Sequence, residues 1–153
     1  MKKILIVLGT RPEAIKLLPI LWELKKQAIP FHLLNTNQHG AILDDLLASH
    51  QILPDDRLDV CQKFPDLLQT KLAMLSQMSE RLSDERFSFV MVQGDTLSAL
   101  TGAEYAFFQG MRVAHVEAGM RTFCLDNPYP EEGFRQMISA MAHLHFCPVF
   151  PVQ

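Results

Sequence analysis

The stretch Ile4-Leu5-Ile6-Val7-Leu8-Gly9-Thr10-Arg11-Pro12-Glu13 decides the fold, because an apolar run stops at a glycine and a helix start follows at once. Five consecutive apolar residues, three of them β-branched, are typical of a strand that is buried on both faces. Pro12 suits the first turn of a helix, where its missing N–H is not needed. The stretch therefore predicts a strand, a turn and a helix, the opening of a βαβ unit.

The same alternation of strand and helix patterns continues to the end of the chain. Predicted strands lie at about 31–35, 58–60, 87–92, 112–116 and 143–147, and predicted helices at about 12–28, 42–50, 65–82, 96–109 and 131–141. Elements that alternate in this way favour a parallel sheet with right-handed crossovers. We therefore expect one α/β domain over residues 1–153, with a Rossmann-like, doubly wound parallel sheet.

Apolar side chains at three- and four-residue spacing mark the helix faces that we expect to pack on the sheet. They are Ile15, Leu18, Leu21 and Trp22 in the first helix, Ile42, Leu46 and Leu47 in the second, and Leu68, Leu72, Leu75, Met78 and Leu82 in the third.

The composition narrows the classes of partner. The chain has 153 residues and a formal net charge of -3, so it has no bulk attraction for nucleic acid, and any anion must be held by a local arrangement of donors. No stretch approaches the roughly 20 apolar residues that cross a bilayer, so we expect no membrane partner.

Cysteine and histidine give no sign of a metal or of a disulfide framework. The three cysteines are odd in number and form no C-x-x-C pair, a pattern that suits a reducing cytoplasm. The six histidines form no tetrahedral ligand set, and His115, inside an apolar strand, is expected to be a core residue with its hydrogen bonds satisfied. We expect no metal site.

Three polar segments, residues 9–13, 93–96 and 117–119, each follow a predicted strand. Ligands of an open parallel sheet bind beyond the carboxyl ends of the strands, near the point where the strand order reverses. The first and fourth strands commonly flank that point. We therefore expect the three segments to converge on one site.

The first of these segments has the features of an anion site. Gly9 and Thr10 precede a helix, whose unpaired N–H groups and dipole attract negative charge. Arg11 adds a planar fork that suits phosphate, and Lys16 adds a point charge. The segment lacks the glycine patterns of dinucleotide-binding and P-loop proteins. The alternative is that Arg11 and Lys16 are solvated charges at a helix end.

Carboxylates at the other segments have both structural and chemical interpretations. Asp95 is placed to cap the following helix, and Glu131 and Glu132 lie at a helix start, where acidic residues stabilise the dipole. Glu117 closes an apolar strand and has no obvious structural task. These carboxylates are therefore candidates for acid–base work, with capping as the alternative for all except Glu117.

Five motifs in the same order resemble the bacterial UDP-N-acetylglucosamine 2-epimerases. They are Gly9-Thr10-Arg11-Pro12-Glu13-Ala14-Ile15-Lys16, Gln38-His39, Gln93-Gly94-Asp95-Thr96, His115-Val116-Glu117-Ala118-Gly119-Met120-Arg121-Thr122 and Pro130-Glu131-Glu132. The resemblance covers essentially the whole chain. It implies the first of two Rossmann-like domains in the glycosyltransferase-B arrangement, with the active site in the cleft between them.

The resemblance also implies a reaction and roles for individual residues. UDP-GlcNAc and UDP-ManNAc would interconvert without a nicotinamide or other cofactor, by elimination of UDP across C1 and C2 and its re-addition to a 2-acetamidoglucal intermediate. Arg11 and Lys16 would hold the phosphates, Gly9, Thr10, Gln38 and His39 would complete the substrate-binding side, and Asp95, Glu117 and Glu131 would be catalytic.

The chain departs from the family pattern at several positions. Gly40 and Ala41 follow Gln38-His39 where the family has Arg and another polar residue, so we expect regulation by a second UDP-GlcNAc to be lost. Phe134 precedes Arg135 where the family has Asn, and His143 stands where an Asp is expected.

The implied partners are a UDP-sugar, the absent C-terminal domain and further copies of the chain. Because the second domain holds most uridine contacts in the family, we expect the chain alone to be inactive or nearly so. The alternatives are a non-catalytic remnant that binds sugar nucleotides, an assembly module, and half of a hydrolysing epimerase that releases ManNAc and UDP.

Overall fold

The computed structural model of the chain describes residues 2–38, 40–60, 66–83 and 85–148. Its strands are β1 (Ile4–Leu8), β2 (Phe31–Asn35), β3 (Asp56–Arg57), β4 (Val90–Gln93), β5 (Val113–Val116) and β6 (Leu144–Phe146). Its helices are α1 (Arg11–Lys26), α2 (Ala41–Ser49), α3 (Leu67–Arg81), α4 (Leu97–Phe108) and α5 (Glu131–Met141). The order of elements is the alternation that the sequence predicts.

The six strands form one parallel sheet in the order β3-β2-β1-β4-β5-β6. The chain first builds outward from β1 to β3 and then returns to add β4 beside β1, so the strand order reverses between β1 and β4. The expected Rossmann-like, doubly wound sheet is confirmed.

Alternating side chains of β1 pack into two separate cores, one on each face of the sheet. Ile4, Ile6 and Leu8 pack with α1 and α2, whereas Leu5 and Val7 pack with α3, α4 and α5. A strand whose two faces are both covered must be apolar throughout, which explains the continuous apolar run at the start of the chain.

The third strand lies slightly earlier than its prediction. Asp56 and Arg57 pair with β2, while Leu58 and Val60, which the sequence placed in the strand, are buried in the core beside α3. Asp56 and Arg57 lie at the sheet edge, and Leu58 and Val60 fill the interior. The most hydrophobic part of this segment is therefore not its strand.

The helices were predicted in the right places, and their inner faces were predicted in part, because Leu18, Leu21, Leu47, Met78 and Leu82 are buried as expected. The inner face of α1 is Ala14, Leu17, Leu18 and Leu21, and that of α2 is Leu43 and Leu47. Ile15, Trp22, Ile42, Leu68 and Leu72 are exposed instead of packed on the sheet. None of the described helices is both long and apolar enough to cross a membrane.

Candidate functional site

A cavity of about 400 Å³ opens at the carboxyl ends of β1, β4 and β5. Its walls come from the three polar segments and from the start of α5, and they include Thr10, Lys16, Gln38, Asp95, Glu117 and Glu131. The predicted convergence at the reversal of strand order is therefore seen in the structure.

The turn between β1 and α1 is organised by Glu13. One carboxylate oxygen, Oε2, accepts hydrogen bonds from the Gly9 amide at 3.0 Å and from the Thr10 amide and hydroxyl, each at 2.7 Å. The Thr10 side chain in turn caps the helix at the Glu13 amide, which completes a capping box. The sequence predicted unpaired N–H groups at this helix start, but the Gly9 and Thr10 amides donate to Glu13, whose carboxylate occupies the anion position.

Glu13 also joins this turn to the next one. Its second oxygen, Oε1, accepts a hydrogen bond from the Thr96 hydroxyl at 2.6 Å, and the whole side chain is buried. Burial raises the pKa of Glu13 above its ordinary value, although the hydrogen bonds from Thr96, Thr10 and Gly9 act in the opposite direction. The carboxylate thus fixes the β1–α1 turn against the start of α4.

Gly9 is required by close packing at the same place. A Cβ atom there would lie 1.9 Å from Thr36 Oγ1 and 2.1 Å from Ser98 Oγ. Ser98 donates a hydrogen bond to Gln38 Oε1 at 2.8 Å, so its oxygen accepts the 2.7 Å bond from Thr36. Only a glycine lets the three loops meet, and this packing holds Gln38 at the cavity wall.

Asp95 is held by a cation, and it does not cap α4. The N-cap is Thr96, whose hydroxyl accepts from the Ala99 amide at 3.0 Å, so the capping interpretation of Asp95 is wrong. The Asp95 carboxylate instead forms a short ion pair with the guanidinium of Arg135 on α5. Arg135 also lies 3.4 Å from Glu132 and is largely buried.

Glu117 directly follows β5 with a backbone φ of 64°, a left-handed conformation that a residue with a side chain adopts only at some cost. Its Oε2 atom lies 2.5 Å from Lys16 Nζ and also accepts a short hydrogen bond from Gln93. Lys16 and Glu117 are 101 residues apart in the chain. The fold therefore joins a predicted phosphate ligand to a predicted catalytic carboxylate.

The two adjacent glutamates at the start of α5 differ completely. Glu132 is buried and accepts hydrogen bonds from Gln136 and from the Thr122 and Phe123 amides, which lower its pKa to about 2. Glu131 lines the cavity and makes no side-chain hydrogen bond or ion pair within the described part of the chain. Of the two, only Glu131 is placed to meet a ligand.

His115 stands behind the cavity on β5. Its Nε2 atom lies 2.7 Å from the Gly94 carbonyl oxygen, and burial lowers the pKa of the ring. The neutral ring therefore donates from Nε2, and its buried Nδ1 has no hydrogen-bond partner among the described residues. The expected core role is seen, but only one of its two nitrogens is satisfied.

Two predicted substrate ligands are not among the residues that line this cavity. Arg11 is exposed at the first position of α1, and Gly9 lies beneath the cavity in the packing described above. His39 lies outside the described residues. The predictions of substrate binding by these three residues remain predictions.

Sequence reasoning missed three residues that organise the site: Glu13, Gln93 and Arg135. The capping-box spacing from Thr10 to Glu13 could have revealed the first. Arg135 lies three residues after Glu132, a spacing that brings side chains together on a helix. No local pattern points to Gln93, because its partner Glu117 follows another strand, 24 residues away in the chain.

Taken together, the cavity offers one half-exposed ammonium group and, besides the buried Glu13, three carboxylates in different settings. Asp95 is paired with a buried guanidinium, Glu117 with the ammonium of Lys16, and Glu131 with no described partner. Carboxylates in unequal environments can divide the tasks of acid and base. Within the described residues no group of three or more His, Cys, Asp or Glu is arranged to hold a metal ion.

Known proteins with the same sequence pattern are UDP-N-acetylglucosamine 2-epimerases. The family model of that description matches residues 23–150. A UDP-N-acetylglucosamine 2-epimerase of Campylobacter jejuni is 43% identical over 96% of this chain and 39% of its own length. The Bacillus subtilis enzyme of the same name is 40% identical over 95% of this chain and 39% of its own length.

Solved structures agree with the sequence matches. The UDP-GlcNAc 2-epimerase of Neisseria meningitidis bound to UDP-GlcNAc superposes with a TM-score of 0.90 at 37% identity, over 95% of this chain and 40% of that one. These neighbours have the glycosyltransferase-B arrangement. The chain spans about two fifths of the length of the curated relatives that it matches. Because the family model matches most of its residues, the chain belongs to the UDP-N-acetylglucosamine 2-epimerase family.

Proposed function

We propose that this chain is the N-terminal half of an enzyme that interconverts UDP-GlcNAc and UDP-ManNAc. The observation that carries the proposal is the cavity in which Lys16 lies beside Asp95, Glu117 and Glu131. A sugar diphosphate needs cations at its phosphates, and a change of configuration at a sugar carbon needs acid–base groups near the ring. The cavity supplies both kinds of group, in a family whose Neisseria meningitidis member is seen bound to UDP-GlcNAc.

The proposed chemistry is an elimination followed by an addition. A carboxylate takes the proton from C2 while the C1–O bond breaks and its electron pair leaves with UDP, which gives a 2-acetamidoglucal. UDP then adds back to C1 as C2 receives a proton on the opposite face. Two acid–base groups are therefore required, one for each face of the ring, and we propose that they come from Asp95, Glu117 and Glu131.

The cations have a separate task in this scheme. The C2–H bond is not next to a carbonyl, so departure of the diphosphate must proceed far enough to loosen it. We propose that Lys16 and Arg11 hold the diphosphate and stabilise its growing charge. Thr10, Gln38 and His39 complete the ligand side, and Gly9 acts by allowing their loops to meet. No cofactor takes part in the proposed reaction.

The chain covers only about two fifths of the length of its relatives, so its activity alone can be tested against its activity with the missing part added. We propose that a polypeptide of these 153 residues binds UDP but does not turn over UDP-GlcNAc alone. Calorimetry with UDP should show binding, and addition of the C-terminal domain of a full-length relative should restore formation of UDP-ManNAc. Asp95→Asn in the same mixture should lower the rate by about a hundredfold or more, the size of effect expected for a positioned acid–base group.

Three outcomes of this experiment would contradict the proposal. One is the absence of UDP binding, and another is full turnover by the chain alone. The third is release of free ManNAc and UDP by the complemented mixture, which would indicate a hydrolysing enzyme. A Glu23→Gln variant, altered on an exposed part of α1, serves as the control and should match the wild type in every assay.

We also propose that the chain associates with a second copy of itself. Leu68 and Leu72 on α3, Tyr129 before α5 and Met137 on α5 are large, apolar and exposed, and most of them line one shallow hollow. Exposed apolar patches of this kind mark interaction sites. Light scattering should show a dimer that Leu68→Lys weakens, whereas Ile42→Lys, on the other side of the sheet, should leave it intact.

The proposed compartment is the cytoplasm. Cys124 and Cys147 are free and exposed in the structure, which suits a reducing environment.

A further inference from the structure

Two carboxylates in the cavity each have a cation, but the two pairs are built differently. Asp95 is paired with Arg135, whose side chain is only 11% exposed, whereas Glu117 is paired with Lys16, whose side chain is 49% exposed. The difference bears on which pair a bound anion can open. A half-exposed pair exchanges its partners with much less cost than a buried one.

Arg135 is fixed from two sides. Its guanidinium contacts Asp95 and lies 3.4 Å from Glu132, which is itself held by Gln136 and two backbone amides. Removing Arg135 from Asp95 would leave the Asp95 carboxylate partly buried without its cation. We therefore treat the Asp95 pair as permanent.

The Lys16 pair has one mobile and one fixed member. Among the described residues, Lys16 is bonded to the site through its Nζ atom, at the end of a flexible four-carbon stem. Glu117 is fixed by the backbone at the end of β5 and by the short hydrogen bond from Gln93, which is buried. If the pair opens, Lys16 is the residue that moves and Glu117 stays.

We infer that Lys16 exchanges partners when a nucleoside diphosphate binds, leaving Glu117 as the carboxylate that ligand binding releases. This inference rests on the proposed function. A diphosphate carries more negative charge than a single carboxylate and attracts the ammonium group more strongly. Without ligand, the ammonium group of Lys16 balances the charge of Glu117. When the diphosphate binds and takes Lys16, the Glu117 carboxylate becomes available as a base. Glu117, held by Gln93, is the released base, whereas Asp95 keeps its cation throughout.

A double-mutant cycle on UDP affinity tests the exchange. In the wild type, UDP must draw Lys16 away from Glu117, so Glu117→Gln should tighten UDP binding by about two- to fivefold, the strength of an ordinary half-exposed ion pair. In a Lys16→Met background the same change should give little or no gain. The matched control is Asp95→Asn, whose effect should be the same with and without Lys16, because its cation is Arg135.

A second readout needs no altered carboxylate. The Nζ resonance of Lys16 in the wild-type protein, identified by its loss in Lys16→Met, should shift when UDP saturates the site. It should also lie closer to the UDP-bound position in free Glu117→Gln than in the free wild type. Circular dichroism of each variant confirms that it is folded.

The outcomes separate the exchange from the proposed function. Three results would each overturn the exchange and leave UDP binding in place. They are UDP binding that Glu117→Gln weakens or leaves unchanged, an equal gain from this change in the Lys16→Met background, and a Lys16 resonance that does not move. Failure of the wild-type chain to bind UDP would contradict the proposed function itself, and the exchange with it.

Discussion

Glu13 fills, with its own carboxylate, the place that a phosphate takes at many helix starts. The amides of Gly9 and Thr10 point at this internal anion, and the Thr96 hydroxyl does the same from the neighbouring loop. A ligand phosphate must then be held by side chains and not by these amides. This makes the side chain of Lys16 more important to the proposed site than the dipole of α1.

The raised pKa of Glu13 predicts how the stability of the fold depends on pH. The folded state holds the Glu13 proton more tightly than the unfolded state, so its contribution is fully present below pH 4.5 and is lost as pH rises through the folded pKa. The free energy of unfolding of the wild type, minus that of Glu13→Gln, should therefore fall as pH rises from about 4 to 7. Urea titrations at a series of pH values measure this difference.

A suitable control is Glu23→Gln, which removes a carboxylate from an exposed position of the same helix. Subtracting its effect removes the general change in net charge. A wild type that gained stability relative to Glu13→Gln over this pH range would show that the hydrogen bonds, and not burial, dominate at Glu13.

Among the elements, β1 could be predicted best, because a strand covered on both faces carries an unbroken apolar run. The helix faces were harder. The inner face of α1 includes Ala14, a small residue where the helix approaches the sheet, while the larger Ile15 and Trp22 are exposed. Size and hydrophobicity therefore gave the wrong orientation, and only the packing of the neighbouring elements decides it.

The candidate site was predictable to a similar degree. Strand order and the position of polar segments after β1, β4 and β5 are enough to bring Lys16, Asp95 and Glu117 into one cavity. The pairings inside the cavity were not predictable, because the partners of each pair lie on different elements. Lys16 meets Glu117 and Arg135 meets Asp95 only after the sheet has formed.

A close contact between α4 and the sheet depends on Gly102. A Cβ atom there would lie 3.0 Å from Val92 Cγ1 and 3.1 Å from Val7, both buried in central strands. Gly133 in α5 has no atom within 4 Å of the same position, so it serves as the matched helical control. Alanine favours a helix by about 0.5–1 kcal/mol over glycine, and Gly133→Ala should stabilise the protein by up to that amount.

Gly102→Ala should instead destabilise the protein by about 1–3 kcal/mol, because stiff β-branched neighbours cannot move aside. Thermal unfolding of the two variants beside the wild type measures both effects. Equal stabilisation by the two substitutions would show that α4 can shift away from the sheet without loss.

On the scale of the whole molecule, β1 joins the two cores, because Ile4, Ile6 and Leu8 belong to one and Leu5 and Val7 to the other. If one core loses its packing, β1 is no longer held in place on that face. The side chains on its other face then lose their support as well, so the second core is weakened too. The protein should therefore unfold as a single cooperative unit, although its helices lie in two layers.

The single tryptophan makes this cooperativity measurable. Trp22 lies on α1 with its ring centroid 5.4 Å from that of His50, so its fluorescence reports on one face of the sheet. Leu17→Ala in that core and Met78→Ala in the opposite core should each cost about 2–5 kcal/mol. Both should move the Trp22 transition and the far-UV circular dichroism transition together in urea.

The control is Ile15→Ala, at an exposed position of α1, which should change the free energy of unfolding from either transition by no more than about 0.5 kcal/mol. If Met78→Ala moved the circular dichroism transition and left the Trp22 transition in place, the two layers would be unfolding separately and β1 would not couple them.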